Sequence, residues 1–242
     1  RDERMQQRHP VEQRRCLELR RRNDVGAVRI AEGKDLRGLA TLAGDEGREL
    51  GRCPRQVGHV VSTLGQPPGI GTFKRELPTN CYRIDPSGRI DLVITEEQVP
   101  DPNGLCFSPD HKKLYVASTG KGPGDTGPGG KGVVFVFDVG TDNKVSNGKV
   151  FTECMVDGIK CGPDGLRTDV DGNLWCSSNA GRALGYSGAT VWSPEGKLLG
   201  RIRLPEVCGN ITFGGPKRNR LFMAASQSLY ALYVGTQGAA PG

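Results

Sequence analysis

PNGLCFSPDHKKLYVAS, at residues 102–118, is answered by PDGLRTDVDGNLWCSS at 163–178. Each stretch opens with Pro, a short side chain carrying an oxygen acceptor (Asn103 or Asp164), then Gly-Leu. A turn signal follows at the same distance, and then an aliphatic–aromatic pair, Leu114-Tyr115 or Leu174-Trp175. CGNITFGGPKRNRLFMAAS at 208–226 is a third, weaker copy, with Phe213 matching Phe107 and Leu221-Phe222 matching Leu114-Tyr115. Asp164 stands 45 residues before its equivalent Gly209 and 61 after Asn103. A period near 45 fits one four-stranded propeller blade. The surplus in the longer interval is largely GKGPGDTGPGGKG at 120–132, which reads as a flexible insertion between strands. It is no phosphate cradle, because Gly132 follows Lys131 where the P-loop pattern requires Ser or Thr.

Around these copies the chain is written in short β-rich runs: NCYRID, RIDLVI, KLYVAS, GVVFVFDV, NLWCSS, ATVWS, LLGRIRL, ITFGG, RLFMAAS and SLYALYV. DPSG (85–88), SPDH (108–111), DG (171–172) and SPEG (193–196) supply the Pro and Gly positions of tight turns between them. Many short strands without helical periodicity predict an all-β protein. DVDGN at 169–173 has some of the oxygens of a calcium loop, but Leu174 occupies the position where that loop needs Gly, so a hairpin is expected. In a propeller each blade contributes its innermost strand to a central channel, and repeat-equivalent positions form a ring at one mouth. Asn103 and Asp164 would then be neighbours. The same residue types also suit turns, so the pattern alone leaves a turn reading open beside a ligand reading.

Composition divides the chain. Residues 1–72 hold thirteen Arg, one Lys and ten acids but no Phe, Tyr or Trp, and all fourteen aromatics lie in 73–242. Net charge is +6, yet acids interleave with the arginines and no aromatic platform is present, which argues against nucleic acid as a partner. No apolar run reaches the roughly 18 residues that span a bilayer. No signal peptide is visible, so a cytoplasmic location is expected, with a lost leader left open. The eight cysteines form no C-x-x-C pair and have no His at zinc spacing; they are expected to be free, buried thiols in a reducing compartment. His9, His59 and His111 make no cluster in the sequence.

The motifs ELPTNCYRIDPSG, PNGLCFSPDHKKLYVASTG, GPDGLRTDVDGNLW and NITFGGPKRNRLFMAASQSLYAL occur in an order and spacing similar to the senescence-marker-protein/gluconolactonase/luciferin-regenerating-enzyme family, over residues 73 to about 236. The resemblance implies a six-bladed β-propeller with a divalent cation, usually calcium, at the channel mouth, with zinc, magnesium or manganese as alternatives. It implies hydrolysis of a sugar lactone. It places Asn103 and Asp164 on the family's metal ligands and makes Asp164 the acid/base residue as well. Amide and carboxylate oxygens suit a hard cation.

The resemblance also requires an upstream Glu and an Asn in a Pro-Asn-Asp-type motif. Glu32 and Glu46 lack the expected strand context, and no Pro-Asn-Asp occurs. Residues 73–236 alone would make about four blades. The expectation is therefore a 73–242 propeller region, incomplete, behind an atypical segment 1–72. That segment reads either as disordered or as the product of a shifted reading frame, a question the nucleotide sequence answers. Beside the lactonase reading stand a non-catalytic propeller that binds a partner and an inactive product with a partial metal site. The sequence leaves the oligomeric state open.

Overall fold

The structure, a computed structural model, describes residues 59–62 (backbone only), 78–85, 87–119, 131–181 and 183–239. The chain divides into Arg1–Arg48 and Glu49–Gly242, and all described residues belong to the second unit. They form strands and turns without a helix.

The strands are β1 (His59–Ser62), β2 (Cys81–Ile84), β3 (Ile90–Ile94), β4 (Pro102–Phe107), β5 (Lys113–Ser118), β6 (Val133–Val139), β7 (Val145–Thr152), β8 (Met155–Val156) and β9 (Ile159–Lys160). They continue with β10 (Gly162–Thr168), β11 (Leu174–Asn179), β12 (Gly188–Trp192), β13 (Leu198–Arg203), β14 (Cys208–Gly214), β15 (Arg220–Ala225) and β16 (Leu229–Tyr233). They build antiparallel meanders: two four-stranded sheets, β4-β5-β6-β7 and β10-β11-β12-β13; two three-stranded sheets, β1-β2-β3 and β14-β15-β16; and the small hairpin β8-β9. In chain order β4, β10 and β14 each begin a sheet, and β4 lies against β10 and β10 against β14.

The side-chain alternation of a strand explains why the sheets stack as blades. On β5, Leu114 and Val116 enter one core, with Cys81, Ile94 and Phe135, while Tyr115 and Ala117 enter another. On β11, Leu174 and Cys176 join that second core, whereas Trp175 faces a third, with Ile211, Leu221 and Met223. One strand thus feeds two interfaces, which is why VVFVF and ATVW are apolar on both faces and buried along their length. The outer strands β7 and β13 carry polar residues and are more exposed.

The expected turns form. Gly88, Gly172 and Gly196 take φ of 86, 84 and 83°, and His111 reaches φ 58° in the SPDH turn. DVDGN makes a hairpin, with the Asp169 N–H donating to the Asn173 carbonyl at 3.0 Å. All ten β-rich runs contain strand. Strands over 102–107, 145–152 and 162–168 were not among them, because Pro, Gly, Asn and Asp there look like turn text. β1 falls inside the 1–72 segment; most of that segment and the 120–130 part of the Gly/Pro loop lie outside the described residues. The six described cysteines (81, 106, 154, 161, 176, 208) are free, as expected, and all but half-buried Cys106 are buried.

Candidate functional site

The three repeat-equivalent positions sit on β-bulges. On β4, Pro102 pairs with Ser118 and Leu105 with Val116, so Asn103 and Gly104 share the space of one partner. On β10, Asp164 and Gly165 do the same between Pro163 and Leu166. On β14 the shift falls between Cys208 and Asn210, with Gly209 as the extra residue. Bulges bend a strand and re-aim a side chain, and here they recur at one level of three neighbouring strands.

The glycines beside the polar residues let those strands meet. A Cβ on Gly104 would stand 1.9 Å from the Asp164 carbonyl oxygen, and one on Gly165 would stand 2.1 Å from Asn210 Oδ1. Asn103-Gly104, Asp164-Gly165 and Gly209-Asn210 therefore form one rim, as the repeat predicted. Thr119 Oγ1 donates to the Pro163 carbonyl at 3.0 Å, and the Gly165 N–H donates to Ser177 Oγ at 2.8 Å, fixing β10 on both sides of Asp164. Further along, Thr168 Oγ1 donates to the Phe107 carbonyl at 2.8 Å and joins β10 to β4.

Asp164 is half-buried, and burial alone raises its pKa to about 6. Among the described residues its carboxylate receives no hydrogen bond and no ion pair. On β14, a Cβ on Gly209 would come 3.8 Å from Asp164 Oδ2, so Gly209 faces the carboxylate. Asn103 is also half-buried. Carboxylate and amide oxygens on one rim suit a hard cation. Among the described residues no cluster of three His, Cys, Asp or Glu joins them, and Glu32 and Glu46 lie outside those residues. His111 sits at the far end of β4, 6.0 Å from the Phe107 ring centroid. The sequence reading missed Asn210; its signal was its place directly after the Gly equivalent to Asp164.

Bulged inner strands that pack side by side and present polar groups at one rim define a β-propeller-class protein. The chain belongs to the family described as the SMP-30/Gluconolactonase/LRE-like region, which matches residues 61–227 and so begins ahead of the compositional boundary at 73. It is 25% identical over 196 residues to a lactonohydrolase, oryL, of Aspergillus oryzae, covering 76% of this chain and 42% of that protein. It is 28% identical over 163 residues to a gluconolactonase of Zymomonas mobilis, covering 65% and 41% respectively. A gluconolactonase structure from Xanthomonas campestris matches with a TM-score of 0.50 at 29% identity, over 66% of this chain and 46% of that one. The chain spans about two-fifths of the length of these two curated relatives.

Proposed function

We propose that this chain carries the lactone-opening site of a gluconolactonase-like hydrolase, with Asp164 as its catalytic residue and Asn103 beside it. The observation that carries this reading is the Asp164 carboxylate: half-buried, held by a bulge at the rim, and left without a partner among the described residues. An uncompensated carboxylate costs folding free energy and calls for an external partner. Membership of a family with lactone-hydrolysing relatives supports the choice of substrate class.

Asp164 accepts a hydrogen bond from water and orients it toward the lactone carbonyl carbon. As the water oxygen bonds to that carbon, Asp164 takes the proton. The ring C–O bond then breaks, the proton returns to the departing ring oxygen, and the product is a hydroxy acid. The Thr119 and Ser177 hydrogen bonds keep β10 in place through this exchange. Asn103 Oδ1 and the Asp164 carboxylate would hold a divalent cation, calcium first, with zinc, magnesium or manganese as alternatives. When bound, such a cation supplies Lewis-acid polarisation of the carbonyl and stabilises the developing oxyanion.

The test is proton release from glucono-δ-lactone, above the spontaneous rate, with each cation in turn. Asp164→Asn keeps the shape and removes the base, and is expected to lower the rate by roughly 10²–10⁴-fold. Calorimetry should show weaker calcium binding in Asn103→Ala and Asp164→Asn. Hydrolysis by Asp164→Asn at the parental rate removes Asp164 from the mechanism. A parental protein inert with every cation overturns the reading.

A further inference from the structure

Three arginines among the described residues have a buried guanidine N–H without an acceptor: Arg83 Nε, Arg167 Nε and Arg201 Nη1. Two are otherwise accounted for. Arg83 pairs with Asp91 at 2.6 Å, and Arg201 pairs with Asp157 at 3.3 Å and lies over the Tyr186 ring at 4.4 Å. Arg167 meets no carboxylate among the described residues. Its one hydrogen bond runs from Nη1 to the Leu166 carbonyl at 2.6 Å.

That bond places the guanidinium. β10 pairs with β11 on one edge, with Arg167 opposite Trp175. The Asp169 N–H donates to the Asn173 carbonyl, so antiparallel alternation makes Arg167–Trp175 the next hydrogen-bonded pair and turns the Leu166 and Thr168 carbonyls away from β11. The Thr168 carbonyl follows this rule, accepting the Ala239 N–H at 2.8 Å. The Leu166 carbonyl, and the guanidinium bonded to it, therefore lie on the edge of β10 that pairs with no described strand, with β4 and β14 packed on either side of β10. Cys106 of β4 is the group that interacts electrostatically with Arg167 there, and burial lowers the arginine's pKa. Asp169, the next acid after β10, is fully committed to Asp171, Asn173 and Trp175. Arg167 stands three residues beyond Asp164, one of them absorbed by the bulge, or roughly 7–10 Å along the strand.

A half-buried, unpaired guanidinium is costly unless an anion joins it. With Nη1 occupied, the buried Nε–H and the other Nη–H have no acceptor among the described residues, and two parallel donors on a planar edge match a carboxylate. We propose that Arg167 is a carboxylate-binding subsite within the channel, taking a small organic acid of the class that lactone opening releases. The choice of acid rests on the proposed function; the unsatisfied donor edge does not.

The test is calorimetric titration of the full chain with sodium gluconate in EDTA, so that no cation holds the carboxylate. Sorbitol and sodium chloride at equal concentration are the neutral and spherical-anion controls. Gluconate is expected to bind, with at least a tenfold loss in Arg167→Gln. Arg167→Lys keeps the charge without the planar edge and should also bind weakly. Parental binding of gluconate no better than of sorbitol or chloride overturns the proposal, whether or not the variants fold. Undiminished binding by Arg167→Gln also overturns it. Because these readings need no turnover, a chain that binds gluconate through Arg167 but opens no lactone defeats the proposed function alone.

Discussion

Gly104 has no room for a methyl group. Its missing Cβ would stand 1.9 Å from the carbonyl oxygen of Asp164, a backbone atom that no rotamer change can move. Gly104→Ala is therefore expected to push β4 and β10 apart and to cost about 3 kcal/mol, the upper end of overpacking penalties. Gly200 on β13 has nothing within 4 Å of its Cβ position, so Gly200→Ala should change stability by less than about 1 kcal/mol. Urea midpoints of the two variants make the comparison, and equal midpoints would show that the inner strands yield easily. The sequence made the Asn-Gly and Asp-Gly pairs visible as a repeat, and the repeat correctly put Asn103 and Asp164 on one rim. It could not show that the glycine is needed for strand contact rather than for a turn. Nor could it show that the Asp164 carboxylate lacks a partner among the described residues, since that depends on what folding leaves out of reach.

The β10–β11 hairpin shows how turn text and site text differ at the level of an element. Its sequence, DVDGN, has the oxygens of a cation loop, yet Asp169 turns inward, fully buried. Its carboxylate accepts from the Asp171 and Asn173 N–H groups, from Asn173 Nδ2 and from Trp175 Nε1, at 2.9–3.1 Å. Residues 237–239 close the same end: the Val170 N–H donates to the Gln237 carbonyl, and the Ala239 N–H to the Thr168 carbonyl. Asp169→Ala strands four donors, one of them on a buried indole, and is expected to cost about 3 kcal/mol or more. Asp169→Asn keeps acceptors for part of the set and should recover some of that loss; equal denaturation midpoints for the two variants would refute this account. The apolar strands were legible because period-two patterning survives in the sequence. β4, β7 and β10 were not, because their Pro, Asn and Gly residues become strand only when a neighbouring strand supplies the hydrogen bonds and the bulge.

Thiols at every interface between sheets link the stability of the whole array to alkaline pH. Cys81 lies in the core between β1-β2-β3 and β4-β5-β6-β7. Cys154, Cys161 and Cys176 lie in the next core, with Cys106 packed against it, and Cys208 lies in the third. Burial pushes Cys81, Cys106 and Cys154 up to about 12 and Cys208 up to about 11, and holds Cys176 well above the ordinary thiol value of 9.0. Above pH 9 the unfolded chain loses these protons while the folded chain keeps them. The stabilisation from the neutral buried thiols is complete below pH 9 and is lost as pH rises toward 11–12. Each thiol should then contribute a decline of about 1.4 kcal/mol per pH unit. Denaturant midpoints measured between pH 8 and 10.5 should hold steady and then fall steeply from about pH 9. Cys176→Ala should make the fall shallower by one thiol's share while lowering stability at pH 8 only modestly, since a small buried group is removed. A profile that stays flat to pH 10.5 would mean that the sheets part locally and admit solvent to the thiols without global unfolding. Faster alkylation of Cys81 or Cys176 by iodoacetamide in the native protein would identify the interface that opens.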